Sequence, residues 1–382
     1  MPNFDRLFNQ SQGDELINTL KGIKNTLEAN FPLEDVEVEL SANSQFITPS
    51  EGYYAIKSVN VPAASQGSVQ LIDRSGQLSY NLADIFNVPC EISNNVTDCW
   101  MMFSGLNNFN SPVTIPDSVT DTSEMFSGCP NFNAPITMGA NMNAYVYMAN
   151  MFNGCANYNQ PTTFPKGELT YALAECTNFN SEVVLSPISN CYSLFYNCVS
   201  YNRPITLPEY SCFESMFDKC NNFNQPLGIP NGSDCTSMLL NCNSFNSPVV
   251  FKGSLDNSVN SVSNMFGASM TAPIYIMNAN LLFGEDGGQL LYSNELISDI
   301  YLTGYTDSCL FIPDDYGRRI NIYTDDNSIA NMTNVIMNPS NWNYVPLTYQ
   351  TDAANNCQYN SQYNLYIYNT WDGALPDELV NL

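Results

Sequence analysis

The sequence predicts a mainly β protein with short helices, organised round a solenoid of parallel strands. Three observations carry that expectation. An aromatic-Asn pair recurs at Phe109-Asn110, Phe132-Asn133, Tyr158-Asn159, Phe179-Asn180, Tyr201-Asn202, Phe223-Asn224 and Phe245-Asn246, with gaps of 23, 26, 21, 22, 22 and 22 residues. Three residues before six of these aromatics stands a cysteine: Cys129, Cys155, Cys176, Cys198, Cys220 and Cys242. After the pairs come apolar segments bracketed by proline, such as Pro112-Val113-Thr114-Ile115-Pro116, Pro204-Ile205-Thr206-Leu207-Pro208 and Pro226-Leu227-Gly228-Ile229-Pro230. A fixed period of this length describes coils that bury their apolar faces only against neighbouring coils.

Composition sets the outer limits. An apolar fraction of 44% suits a folded chain. There are 37 acidic residues against 11 basic ones, a net charge of −26. Such a surface repels phosphate backbones and anionic lipid, so no nucleic-acid partner is expected. Histidine is absent. That removes the usual general base and every Ser-His or Cys-His nucleophile pair. No stretch approaches 18 consecutive apolar residues, so no membrane span is expected. The first residues, Met1-Pro2-Asn3-Phe4-Asp5-Arg6, lack a basic n-region and an apolar run, and do not read as a signal peptide.

Residues 1–35 read as an N-terminal helical attachment segment. Leu16, Leu20, Ile23 and Leu27 form a stripe on one helix face, and Pro32 ends it. The stripe packs either in its own domain or on identical helices, which allows a homo-oligomer such as a trimer. Residues 36–90 read as a small β module. Val36, Val38 and Leu40 alternate, and Thr48 to Tyr53 carries the turn chemistry of a hairpin before Val59-Asn60-Val61-Pro62. The phrase resembles a short β module found in phage structural proteins.

Residues 91–275 hold the repeats. The proline-bracketed trios read as one short strand per coil, with Pro at the margin where it costs no ladder donor. The Met-Phe segment before each cysteine, as in Ser123-Glu124-Met125-Phe126, reads as one or two helical turns. Seven or eight coils at ~4.8 Å spacing would make an array about 35–40 Å long.

The phrase Met216-Phe217-Asp218-Lys219-Cys220-Asn221-Asn222-Phe223-Asn224-Gln225-Pro226-Leu227 resembles the BspA-type leucine-rich-repeat family. Met125-Phe126-Ser127-Gly128-Cys129 matches the same consensus. The likeness covers about half the chain. It departs in lacking the Trp that follows the strand, and several coils are four residues shorter. The resemblance implies a leucine-rich-repeat solenoid used for adhesion or assembly, and it carries no catalytic residue.

Residues 276–382 read as degenerate repeats and a Tyr/Asn-rich C-terminal cap. Short strands are expected at 297–301, 309–312 and 320–323, and alternation at Tyr366, Tyr368 and Thr370 suggests another. Tyr359, Tyr363, Tyr366, Tyr368 and Trp371 are either surface tyrosines of the cap or a contact surface able to stack on a glycan.

Thirteen cysteines raise the question of metal ligands or disulfide bridges. No close CxxC pairs converge, so the column reads as buried free thiols, with Cys99, Cys191, Cys212 and Cys235 as a looser second column. The asparagines read as a ladder bonding their own and adjacent coils, and the aromatics as core. Asp314-Asp315 and Asp325-Asp326 match no calcium loop and read as solvated. No metal, cofactor or enzymatic activity is expected.

The expectation for function is a non-enzymatic phage virion structural or attachment protein, a head or tail fibre or decoration protein. The N-terminal segment would bind other virion proteins, and the solenoid would meet a host surface protein or glycan. The alternatives are a bacterial cell-surface adhesin of the BspA type and an intracellular scaffold for protein–protein interaction.

Overall fold

The computed structural model describes residues 87, 96–138, 145–187, 189–231, 233–252, 262, 264–266, 270–277, 296–304, 319–325, 348–362 and 364–382. It also describes the strands at 34–39, 54–61, 90–92, 309–312, 334–337 and 343–346. The expected N-terminal helix bearing Leu16, Leu20, Ile23 and Leu27 lies outside the described residues.

Strands β1 (Glu34–Glu39), β2 (Tyr54–Val61), β3 (Cys90–Ile92), β4 (Val113–Ile115) and β5 (Ile136–Met138) form one parallel sheet in chain order. Strands β6 (Val146–Tyr147), β7 (Thr162–Phe164), β8 (Gly167–Glu168) and β9 (Val183–Leu185) make two short parallel pairs, β6 with β8 and β7 with β9. Then β10 (Leu227–Ile229), β11 (Val249–Phe251), β12 (Ile274–Ile276) and β13 (Asp299–Leu302) continue coil by coil in parallel. The remaining strands are β14 (Cys309–Ile312), β15 (Ile320–Thr324), β16 (Asn334–Met337), β17 (Asn343–Pro346), β18 (Gln350–Asp352), β19 (Cys357–Asn360) and β20 (Leu365–Tyr368). β15 and β20 extend the parallel sheet, and β19 and β18 close it with antiparallel pairing. β14, β16 and β17 form a separate three-stranded sheet. The described chain is thus a nearly all-β parallel solenoid.

Register keeps like residues in columns. Leu227, Val249, Ile274, Ile300, Ile322 and Ile367 are direct partners in successive strands, and all are buried. Their outward neighbours form a second column from Gly228 through Val250, Tyr275, Tyr301 and Tyr323 to Tyr368.

Three local expectations are corrected. First, β1 and β2 pair in parallel rather than as a hairpin, and β2 also pairs with β3. The strands of the expected β module therefore continue the solenoid's own sheet. Second, residues 204–208 form no hydrogen-bonded strand. Ile205 and Leu207 still point inward and Thr206 outward, as in the strands of neighbouring coils.

Third, the Met-Phe segments are not helical. Among the described residues the one helical element is a 3-10 turn at Asp377–Leu379. The reason lies in where the backbone N–H groups go. Within one coil, Met102 N donates to Cys99 O, Ser104 N to Met101 O and Leu106 N to Phe103 O. The alternate groups leave the coil: Met101 N donates to Ser123 O at 3.0 Å, Phe103 N to Met125 O at 2.8 Å and Gly105 N to Ser127 O at 2.8 Å. A helix would consume all of them internally. The alternation instead makes a stack of tight turns hydrogen-bonded from coil to coil.

Each turn stack needs a left-handed residue at two places. The first column is Met101, Glu124, Asn150, Tyr171, Ser193, Ser215, Ser237 and Asn264, all with positive φ. The second is Gly105, Gly128, Gly154, Glu175, Asn197, Lys219 and Asn241. Glycine enters such a turn without strain, and the other residue types pay a steric cost.

Candidate interaction surface

The interior is filled by structural ladders. Phe109, Phe132, Tyr158, Phe179, Tyr201, Phe223 and Phe245 are buried, their rings 5.7–5.9 Å from the next coil's ring. A second column, Phe103, Phe126, Phe152, Phe195 and Phe217, interleaves with five of them at 4.2–4.4 Å within a coil, and Leu173 and Leu239 take the position beside Phe179 and Phe245. Parallel rings at these separations pack the core at low cost in entropy. Tyr158 Oη sits 2.7 Å from Thr162 Oγ1. Ile205 holds the corresponding position after Tyr201, whose buried hydroxyl has no partner.

Each asparagine bridges two coils. Its side-chain oxygen accepts from the backbone N–H of the asparagine one coil on: Asn110 from Asn133 at 2.7 Å, Asn133 from Asn159 at 2.8 Å, Asn159 from Asn180 at 2.8 Å and Asn180 from Asn202 at 3.0 Å. Asn202 serves Asn224 at 2.9 Å, Asn224 serves Asn246 at 2.7 Å, and Asn246 ends the series on Thr271 and Ala272. The ladder begins one coil earlier than the seven pairs suggest, because Asn87 accepts from Asn110 at 2.8 Å. Phe86-Asn87 stands 23 residues before Phe109-Asn110, so the signal was present in the sequence.

The thiols form a third ladder. Cys129, Cys155, Cys176, Cys198, Cys220 and Cys242 donate to Phe103 O, Phe126 O, Phe152 O, Leu173 O, Phe195 O and Phe217 O of the preceding coil, at 2.9–3.2 Å. All six are free and buried. Burial pushes Cys129 up to about 12 and raises the other five as well. These sulfurs are thiols, not thiolates, and are poor nucleophiles. Cys99, Cys191 and Cys235 share one buried column, but Cys212 does not. It bridges to Asn190 and Asp234 in the adjoining, half-exposed column.

Outward chemistry divides between the sheet face and the turn stacks. On the sheet face Tyr275, Tyr301, Tyr323 and Tyr368 stack at 4.6–5.1 Å, with Trp371 edge-on to Tyr275 and Tyr301. Residues after Trp371 fold back over this face, and Leu379 is buried with Val250 and Tyr275. Gly228 is needed there, since a Cβ would stand 2.8 Å from the backbone of Leu382. Tyr359 stacks on Tyr366 at 5.9 Å, and the Arg319 guanidinium lies 3.8 Å above the Tyr366 ring while bonding Tyr368 Oη. Of the five tyrosine and tryptophan residues expected as a contact surface, Trp371 thus packs with the C-terminal segment and Tyr368 ends the tyrosine stack on Tyr323. Tyr366 carries Arg319 and stacks on Tyr359, and Tyr363 lies outside the described residues.

The turn stacks present a different surface. Tyr145 and Tyr147 are exposed and edge-on at 5.7 Å. Tyr171 meets Tyr192 at 5.5 Å and Tyr196 at 5.9 Å. Among the described residues the same flank carries Asp98, Asp121, Glu124, Glu168, Glu175, Glu214, Asp218 and Asp234, against Lys166 and Lys219. The Lys219 ammonium stands 4.5 Å from the Tyr196 ring centre and donates to its hydroxyl. Desolvation and the Asp234 charge raise Glu214. Cys212, Glu214 and Asp234 bring ligand atoms within 4.8 Å of one another. Asp234 Oδ1 already accepts from Thr236 N and Oγ1, at 3.0 and 2.8 Å. Asp314 and Asp326 lie outside the described residues.

Sequence reasoning missed this flank because no single column spells it. Tyr171, Tyr192 and Tyr196 occupy three different positions of the repeat and meet only when two coils are stacked.

No curated protein and no solved structure matches the chain. A family model does, in two consecutive stretches, residues 83–166 and 167–275, which together span half the sequence. They coincide with the coils of the Asn and Cys ladders, and the repeat is of the BspA-like kind. The chain belongs to the family described as "Mycoplasma protein of unknown function, DUF285".

Proposed function

We propose that the protein is a non-enzymatic attachment protein, displayed on a surface, whose solenoid holds the turn-stack flank rigidly towards a macromolecular partner. The observation carrying this reading is the division of labour along each coil. Phe, Cys and Asn columns are consumed in holding coils together, and half-buried carboxylates such as Glu168 and Glu175 brace the turns by accepting from Asn190 and Asn197, while Tyr145 and Tyr147 stand exposed outside those ladders. Aromatic side chains give contact area at little entropic cost, which suits recognition. The family match supports a surface or protein-interaction repeat.

Two surfaces fit. The N-terminal phrase that resembles phage structural modules favours a virion, with attachment to other virion proteins through the N-terminal segment. The BspA-like repeat favours a bacterial cell envelope. Immunogold electron microscopy with antibody against the solenoid tests both. Gold on particles supports the virion, gold on envelopes supports the adhesin, and gold confined to the cell interior overturns surface display.

A further inference from the structure

The molecule seats two of its own cations on tyrosine rings, and the two seats share a design. Lys219 lies over Tyr196, with Asp218 and Glu175 close enough to favour its charge. Arg319 lies over Tyr366 and bonds Tyr368 Oη and Asn321 Oδ1. A cation over an aromatic face is held by the ring quadrupole, and neighbouring carboxylates strengthen the hold.

The same components, tyrosine rings beside carboxylates, recur in two clusters on the turn-stack flank. Tyr145 and Tyr147 stand edge-on beside Glu168, whose charge acts on Tyr145. Tyr171 and Tyr192 stand edge-on beside Glu214, whose charge acts on Tyr192. Tyr171 also touches Tyr196, so the second station adjoins the ring that Lys219 covers. Asp98 and Asp121 are direct bridge partners and the Asp234 charge acts on Glu214, so like charges repel on this flank and a cationic partner would relieve that repulsion.

We propose that this flank binds a basic polypeptide, seating its Lys or Arg side chains at the Tyr145–Tyr147–Glu168 and Tyr171–Tyr192–Glu214 stations as Lys219 is seated on Tyr196. The proposal rests on the attachment reading and names the partner class of the same surface. Charge complementarity decides for a basic polypeptide over a neutral glycan. Tyrosine would stack on either, but a flank richer in carboxylates than in cations adds attraction only for the cationic one. Binding should therefore weaken as salt rises towards a Debye length of about 8 Å.

The test is calorimetric titration of the whole chain with a Lys/Arg-rich peptide, a Gln-substituted peptide of equal length, and a neutral oligosaccharide. The basic peptide should bind and the other two should not. Tyr171→Asn combined with Tyr192→Ser should weaken binding about five- to tenfold, the loss of two exposed cation–π contacts. Asn suits the positive φ of residue 171, so that variant keeps its turn. Tyr171→Phe with Tyr192→Phe keeps the rings and should restore affinity, which a bulk charge effect would not require. Glu168→Gln with Glu214→Gln should weaken binding and flatten its salt dependence. Asp372→Asn with Asp377→Asn, on the C-terminal segment, should change neither. Equal affinity in the Asn/Ser variant, or tighter binding of the oligosaccharide, overturns the proposal. Surface gold labelling without peptide binding would sink the partner class alone, and peptide binding with interior labelling would sink the display reading alone.

Discussion

Asn202 shows how one side chain ties two coils together. Its oxygen accepts from Asn224 N at 2.9 Å and Gln225 Nε2 at 3.0 Å, while its own N–H donates to Asn180. Asn202→Ala should cost about 1 kcal/mol, the low end for a lost partner because the amide it serves lies at the surface. Asn202→Asp keeps the acceptor and should cost less in the same urea titration. The buried hydroxyls give a sharper contrast. Tyr201→Phe removes an unpartnered polar atom and should stabilise by about 1 kcal/mol, whereas Tyr158→Phe breaks a hydrogen bond and should destabilise. The thiols set a pH dependence. An unfolded cysteine titrates near ~8.5, while folded Cys129 holds its proton up to about 12. Between those values the folded state binds more protons than the unfolded one, so stability falls as pH rises. The contribution is whole below ~8.5 and gone above about 12, with the other five thiols adding in the same direction. Melting temperatures measured from pH 7 to 11 should drop steadily above about 9, and a flat profile would show that the sulfurs are not buried.

At the level of the element, the turn stack accounts for both what the sequence revealed and what it hid. The Asn, Cys and aromatic columns were legible because a constant period puts equal positions in register, the strands expected at 297–301, 309–312 and 320–323 form at 299–302, 309–312 and 320–324, and alternation at Tyr366 and Tyr368 marked the strand at 365–368. The turns were not legible as turns. Met125, Phe126 and Cys129 have spacing that suits one helix face, and the deciding fact is non-local: Phe126 N points at Met151 O of the next coil. The parallel pairing of β1 and β2 was hidden for a similar reason, since Thr48-Pro49-Ser50-Glu51-Gly52 carries turn chemistry whatever the strands then do. Positive φ makes this element testable. Glu124, at φ 56, should gain about 1 kcal/mol on replacement by Gly. Gly154→Ala, at φ +77 with Gly128 atoms no nearer than 3.7 Å, should lose about as much through backbone strain alone. Thermal melts of the pair should move in opposite directions.

The whole molecule behaves as a one-dimensional stack, in which each coil is stabilised by its two neighbours and antiparallel β18 and β19 close the end of the main sheet. Function follows from that rigidity, because tyrosines from different coils keep fixed separations only while the coils stay in register. Register is therefore the claim most open to attack. Deleting residues 181–202 removes one 22-residue period and joins Asn180 to Arg203, so every ladder meets its own kind again. Deleting residues 181–191 removes half a period and sets Asn against core positions. Thermal unfolding of both variants, followed by circular dichroism, is the most direct measurement. The stack predicts a single cooperative melt, modestly lowered, for the full-period deletion and no cooperative melt for the half-period one. Equal behaviour of the two would contradict it.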